Sequence, residues 1–171
     1  MSGRQRIRLR QAIREAEGYL ELGMPRHALE VLGRVDDPGT FRAQVLYLTG
    51  ESLRALERFD EAIEPLVSAG ELTPSNPHIW LALGWCYKRT RRLELAIGAL
   101  EQAGEVDPDS ALIQYNLACY WSLAGGKPQA LTHLARALAM DAHFRDLIGT
   151  EADFDPIRSD PDFQAITGAP V

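Results

Sequence analysis

Between residues 77 and 110 the apolar positions fall on helical faces. Trp80, Leu83, Gly84 and Tyr87 lie along one face, Ala96, Leu100 and Ala103 along a second, and Pro108 closes the segment. The pattern repeats along the chain. Stepping by 34 residues links Ala28, Ala62, Ala96 and Ala130, and four places later Leu32, Leu66, Leu100 and Leu134. Small residues recur as Ala16, Gly50, Gly84 and Ala118, and bulky ones three places on as Tyr19, Leu53, Tyr87 and Trp121. These columns share one register and predict four helical hairpins, at 9–42, 43–76, 77–110 and 111–144. In the first, Leu9, Ala12, Ile13, Ala16, Tyr19 and Leu20 make the apolar face.

The residue types in the columns have a packing reason. Two helices approach closely only where one side chain is small, and a bulky neighbour fills the space beside the crossing. One hairpin cannot bury its apolar face alone, so adjacent hairpins must complete the core. Turn signals at Gly23-Met24-Pro25, Arg58-Phe59-Asp60, Thr90-Arg91-Arg92 and Gly125-Gly126-Lys127-Pro128 separate the helices within each hairpin. Thr73-Pro74 and Asp107-Pro108 read as a capping side chain before a helix-starting proline. Pro38 comes early, before Gly39-Thr40, which predicts a remodelled link after the first hairpin. Ala142 replaces the proline after the fourth, which predicts a smoother continuation there.

The Trp80, Leu83, Gly84, Tyr87, Ala96 and Pro108 arrangement resembles the tetratricopeptide repeat, whose 34-residue unit carries W-x-x-L-G-x-x-Y…A…P. Leu100 departs from it, standing where the family most often has an aromatic. The resemblance implies an all-α, right-handed α-solenoid of helix–turn–helix units, of the kind found in bacterial proteins built only of such repeats. It implies a non-enzymatic adaptor that binds an extended or short helical peptide segment of another protein in a concave groove. The first helices would line that groove. Carried over position by position, it comprises Arg10, Ile13, Arg14 and Glu17; Gln44, Tyr47, Leu48 and Glu51; His78, Leu81, Ala82 and Trp85; and Leu112, Tyr115, Asn116 and Cys119. Arg54, Lys88 and Arg89 lie one turn further.

Tyr47, Leu48, Leu81, Trp85 and Tyr115 would then form a continuous apolar stripe. Trp85 is the most informative, because Trp80, Leu83, Gly84 and Tyr87 already supply the core face of its helix. Leu48 and Leu81 fit the core equally well, since a helix packed on both sides is apolar nearly all round. Arg54, Lys88 and Arg89 would select an acidic flank. The Lys/Asn/Arg set with which some family members clamp a C-terminal carboxylate is missing, and Asn116 alone does not replace it. Two alternatives stay open: a self-assembling scaffold using the ends or convex face, and a chaperone for a secreted substrate. Type III translocator chaperones are similar in size, acidity and architecture.

The flanks differ from the repeats. Arg4, Arg6 and Arg8 crowd residues 1–8, where the helix dipole disfavours them, so a basic, frayed end is expected. It reads as solvated, with a contact to an acidic partner or nucleic acid as the alternative. Residues 145–167 leave the register but bring Leu147, Ile148, Phe154, Ile157, Phe163 and Ile166, which with Phe144 would form a helical C-terminal capping segment. This stretch resembles the acidic DFDP…DP.F endings of many bacterial repeat proteins. Asp155-Pro156 and Asp160-Pro161 read as caps before N1 prolines, and 168–171 as a loose end.

Composition narrows the chemistry. A chain of 171 residues with 25% charged residues fits a soluble globular domain. A net charge of −6 argues against general nucleic-acid binding. No apolar run could span a bilayer, and none follows the basic start as a signal-peptide core, so cytoplasmic residence is expected and membrane insertion is not. A homo-oligomer is an open alternative. Cys86 and Cys119 lack metal-ligand spacing and fall inside apolar patterns, as inert thiols do. Glu151, Asp153, Asp155, Asp160 and Asp162 lack the glycine and terminal glutamate of a calcium loop. His27, His78, His133 and His143 match no zinc spacing. Nucleophile-elbow, phosphate-cradling and dinucleotide motifs are absent, so neither catalysis, cofactor nor metal is expected.

Overall fold

A computed structural model describes residues 2–168, in two compact units that divide between Thr90 and Arg91. Met1 and residues 169–171, most of the expected loose end, lie outside the described residues. The described secondary structure is entirely helical.

The first unit contains α1 (Gly3–Glu21), α2 (Pro25–Leu32), α3 (Arg42–Ala55), α4 (Phe59–Leu72) and α5 (Pro77–Arg89). Each helix packs on the next, and the alternate pairs α1–α3 and α3–α5 also touch. Leu9, Ile13, Ala16, Ala28, Leu32 and Leu48 form one buried cluster, flanked by Tyr19, Leu20, Val35, Phe41, Val45 and Tyr47. The basic start is helical from Gly3, against the expectation of a frayed turn before Leu9. Ser2 Oγ accepts from Gln5 N–H at 3.3 Å while Gln5 Oε1 accepts from Ser2 N–H at 2.7 Å, a reciprocal cap that satisfies two end donors. The link after α2 is remodelled as expected: α2 stops at Leu32, and a 3-10 turn at Gly39–Phe41 leads into α3.

The second unit contains α6 (Leu93–Val106), α7 (Ala111–Leu123), α8 (Lys127–Met140), α9 (Arg145–Ile148) and α10 (Pro161–Thr167). α7 packs on α6, on α8 and on a 3-10 helix at Ala152–Ile157, which explains why it is buried almost all round. α8 does not run on smoothly. It ends at Met140, and the extended Asp141 starts a 3-10 turn by accepting from His143 N–H at 2.9 Å.

Several prolines and aspartates stand elsewhere in the helices than their sequence context predicts. Thr73 and Asp107 end α4 and α6 and do not begin the next helices. A residue before proline is pushed out of the α region, so Pro74 and Pro108 stand in the connecting turns. Asn76 and Ser110 are the caps, accepting from His78 N–H at 3.0 Å and Ile113 N–H at 3.5 Å, and Pro77 takes the first helical position. Asp155 is likewise no cap: Glu151 opens that 3-10 helix and Asp155 pairs with Arg158. Asp160 does cap α10, accepting from Asp162 N–H at 2.9 Å, and it also meets Lys127 Nζ at 2.7 Å.

Left-handed backbone recurs at Gly23, Glu57, Arg91 and Gly125, each just past a first helix and 34 residues from the next. The alanine column Ala28, Ala62, Ala96 and Ala130 is wholly buried, and Leu32, Leu66, Leu100 and Leu134 are at most 4% exposed. In the small-residue column, a Cβ on Gly50 would lie 2.7 Å from Leu66 Cδ2 and closer still to its Cγ. Leu66 is fully buried. Gly50→Ala should therefore lower stability by about 1–3 kcal/mol despite alanine's better helix propensity, read as a fall in the urea midpoint.

Candidate protein-binding face

The candidate residues separate by unit and by burial. In the first unit, α1, α3 and α5 are first helices, and contact between α1 and α3 includes Gln44 Nε2 donating to Glu17 Oε1 at 2.8 Å. Ile13 and Leu48 are core, 3% and 5% exposed, because both lie in the cluster joining α1, α2 and α3. Ala82 is buried as well. Arg14 and His78 are exposed, and Tyr47, Glu51, Leu81 and Lys88 are half-buried. Arg10 is exposed with its guanidinium 5.6 Å from the Phe41 ring.

Trp85 is the large apolar residue of α5 that faces out, 43% exposed. Its neighbour Trp80 behaves differently: the indole Nε1 donates to Pro74 O at 2.8 Å and the ring lies against Gly70. One turn beyond Trp85, Arg89 is exposed and stacks its guanidinium 5.0 Å over the Phe59 ring. Arg54 is not an open cation. Its Nε and Nη2 donate to the two Glu51 oxygens at 2.8 and 2.9 Å, a bidentate pair one turn apart on α3. The i,i+3 spacing of Glu51 and Arg54 was the sequence signal for it.

Beside this pair lie the half-buried Tyr47 and the buried Cys86, whose neutral forms are favoured. Burial raises Tyr47 to about 12, with Glu51 adding to the shift and Arg54 opposing it. Burial also raises the Cys86 thiol to about 11, Arg54 opposing and Glu51 adding. Cys86 is fully buried, in keeping with an inert thiol.

In the second unit the chain covers its own first helix. Tyr115 and Cys119 are 4% and 2% exposed, so neither can meet a partner from that position. Phe144 stacks on Tyr115 at 4.7 Å between centroids, and Phe154 meets its edge at 5.6 Å. Phe163 backs Phe154 at 5.5 Å. Arg158 ties this covering together, donating to Ile148 O at 3.0 Å, Glu151 O at 2.7 Å and Asp155 Oδ1 at 2.9 Å. Of the expected capping residues, Leu147 points away, 51% exposed. Asn116 is half-buried, and Leu112 is exposed near the start of α7. The predicted apolar stripe is thus broken at Leu48 and at Tyr115. No sequence spacing announced the covering of Tyr115, because Phe154 reaches it only through the path of the tail.

Comparison with known proteins agrees with this architecture. Residues 53–118 match the family model of the tetratricopeptide repeat. No curated protein sequence matches the chain. Among solved structures, MamA superposes with a TM-score of 0.73 at 20% identity over 81% of each chain. A MamA fragment from Desulfovibrio magneticus RS-1 gives 0.73 at 17% identity over 94% of each chain. YrrB, described as a TPR protein with an unusual peptide-binding site, gives 0.67 at 22% identity, covering 74% of this chain and 66% of its own. The matched segment 53–118 and the fold are those of tetratricopeptide-repeat proteins. Folds of this class generally mediate protein–protein interaction, and no described helix is long and apolar enough to cross a membrane.

Two measurements check the site's physics. Phe154→Ala should destabilise the protein by about 3–5 kcal/mol in denaturant melts, as for a fully buried aromatic. Cys86 ionises at 9.0 when unfolded and about 11 when folded. Its contribution to stability is present in full below the unfolded value and is lost as pH rises through that window. The fall of melting temperature across it should be shallower in Cys86→Ala than in the parent.

Proposed function

We propose that the chain is a non-enzymatic interaction module that holds a peptide segment of a partner protein on the first-helix faces of its first unit. The observation that carries this is Trp85: a large aromatic held 43% exposed, although its helix has already met its packing needs with Ile79, Leu83 and Cys86. Aromatic and arginine side chains dominate binding energy where they enter a desolvated contact, and Trp85 with Arg89 offers both one turn apart. Tyr47 and Leu81, half-buried, add apolar surface. His78 and Arg14 contribute polar reach.

The selectivity differs from that expected of the bare sequence. Arg54 spends its fork on Glu51, so the acidic flank of a ligand would be read mainly by Arg89. Within the second unit, the corresponding residues Tyr115 and Cys119 lie under the tail. A peptide-binding site is described for YrrB, which shares the fold, and that supports the same use here.

The test is peptide selection from a displayed library on the full chain, followed by affinity measurement. Trp85→Asp should weaken the selected peptides by about 30-fold, the size of a binding hot spot, and leave the circular dichroism unchanged. Arg89→Glu should weaken acidic peptides more than neutral ones. Full affinity in the well-folded Trp85→Asp protein would place recognition on another surface.

A further inference from the structure

Where the tail covers α7, it brings chemistry together that the sequence keeps far apart. The Sγ of Cys119 and a carboxylate oxygen each from Glu151 and Asp153 lie within 4.8 Å of one another. Cys119 is 2% exposed on α7, and the two carboxylates are half-buried where the tail enters its second 3-10 helix. A second observation concerns Tyr115, one turn before Cys119 on the same face of α7. Its hydroxyl is buried, 4% of the residue being exposed, and makes no hydrogen bond. Tyr115 lies on the face of α7 that Phe144 and Phe154 cover, the face that also carries Cys119.

We infer that Cys119, Glu151 and Asp153 form a site for a borderline divalent transition metal of the zinc class. One soft sulfur and two hard oxygens suit such an ion, whereas calcium and magnesium take all-oxygen shells of six or more ligands. Zinc–sulfur and zinc–oxygen bonds of about 2.3 and 2.0–2.2 Å require the three donor atoms to draw in by roughly an ångström. The buried Tyr115 hydroxyl, or a water held by it, would complete a tetrahedral shell. Metal binding displaces the thiol proton to solvent, and the ion takes up the thiolate and both carboxylates. Arg158, bonded to the Glu151 carbonyl at 2.7 Å, offsets the residual negative charge and fixes the backbone that carries the ligands. An ion here would cross-link the tail to α7 and hold the cover on Tyr115.

The experiment uses the full chain, reduced and freed of metal, titrated with Co2+ as a spectroscopic probe and then with Zn2+. The expected result is a thiolate-to-cobalt charge-transfer band saturating at one equivalent and bleached by Zn2+ but not by Ca2+ or Mg2+. Cys119→Ser should abolish the band and Cys86→Ser should leave it. Glu151→Gln and Asp153→Asn, at half-buried positions, should each weaken binding by about tenfold or more. The inference is overturned if no thiolate band forms at one equivalent, or if the band survives Cys119→Ser. Unchanged affinity in both carboxylate variants would overturn it too, independently of whether Cys119→Ser folds.

Discussion

The closeness of approach between the two helices of a hairpin is the constraint on which this structure rests. Gly50 and Leu66 state it most sharply: the leucine occupies the volume a β-carbon would need. Close approach lets a leucine of one helix lie in the backbone groove of the other, and it requires the chain to reverse within a very short connection. The left-handed residues at Gly23, Glu57, Arg91 and Gly125 provide those reversals. Two of them are not glycine, so at Glu57 and Arg91 tertiary packing holds a backbone conformation that local preference disfavours. A fixed helix length, a small crossing residue and a fixed reversal together give the 34-residue period.

That constraint also decides what is left for recognition. A first helix flanked by neighbours on both sides has only a narrow strip of its circumference open to solvent. On α3 the strip holds a bidentate Arg54–Glu51 pair whose charges largely cancel, and on α5 it holds Trp85 and Arg89. Glu51 and Trp85, at equivalent positions 34 residues apart, therefore offer different chemistry. α7 is different again: the strip that its counterparts expose is taken up by Phe144 and Phe154. The tail thus does for Tyr115 what a ligand would, with an aromatic stack and an edge contact supplied from within the chain.

Electrostatics follow from the same burial. The neutral forms of Tyr47 and Cys86 are favoured because little water reaches them, and the adjacent Arg54–Glu51 pair leaves only a small net field. In the tail, one arginine serves three acceptors: Arg158 binds two carbonyls and the Asp155 carboxylate. Such multiple use satisfies the carbonyl at the end of the one-turn helix α9 and adds a second donor to the Glu151 carbonyl, which also accepts from Phe154 N–H.

The sequence by itself determined the period, the helix pairs and the core columns, because small and large apolar residues at fixed spacing are a direct record of helix crossing. It also marked Trp85 as surplus to the core of α5. It did not fix which candidates stay open. Leu48 and Leu81 both fitted the core by sequence, yet Leu48 and its counterpart Ala82 are buried, while Leu81 and its counterpart Tyr47 are only half-buried, since the surrounding helices determine exposure. The helix caps Asn76 and Ser110 lie three residues past the expected caps Thr73 and Asp107, a choice made by turn geometry. The meeting of Tyr115 with Phe154, and of Cys119 with Glu151 and Asp153, belongs wholly to tertiary structure. Contacts between residues more than thirty apart depend on the path of the intervening backbone, and no periodicity in the chain encodes that path.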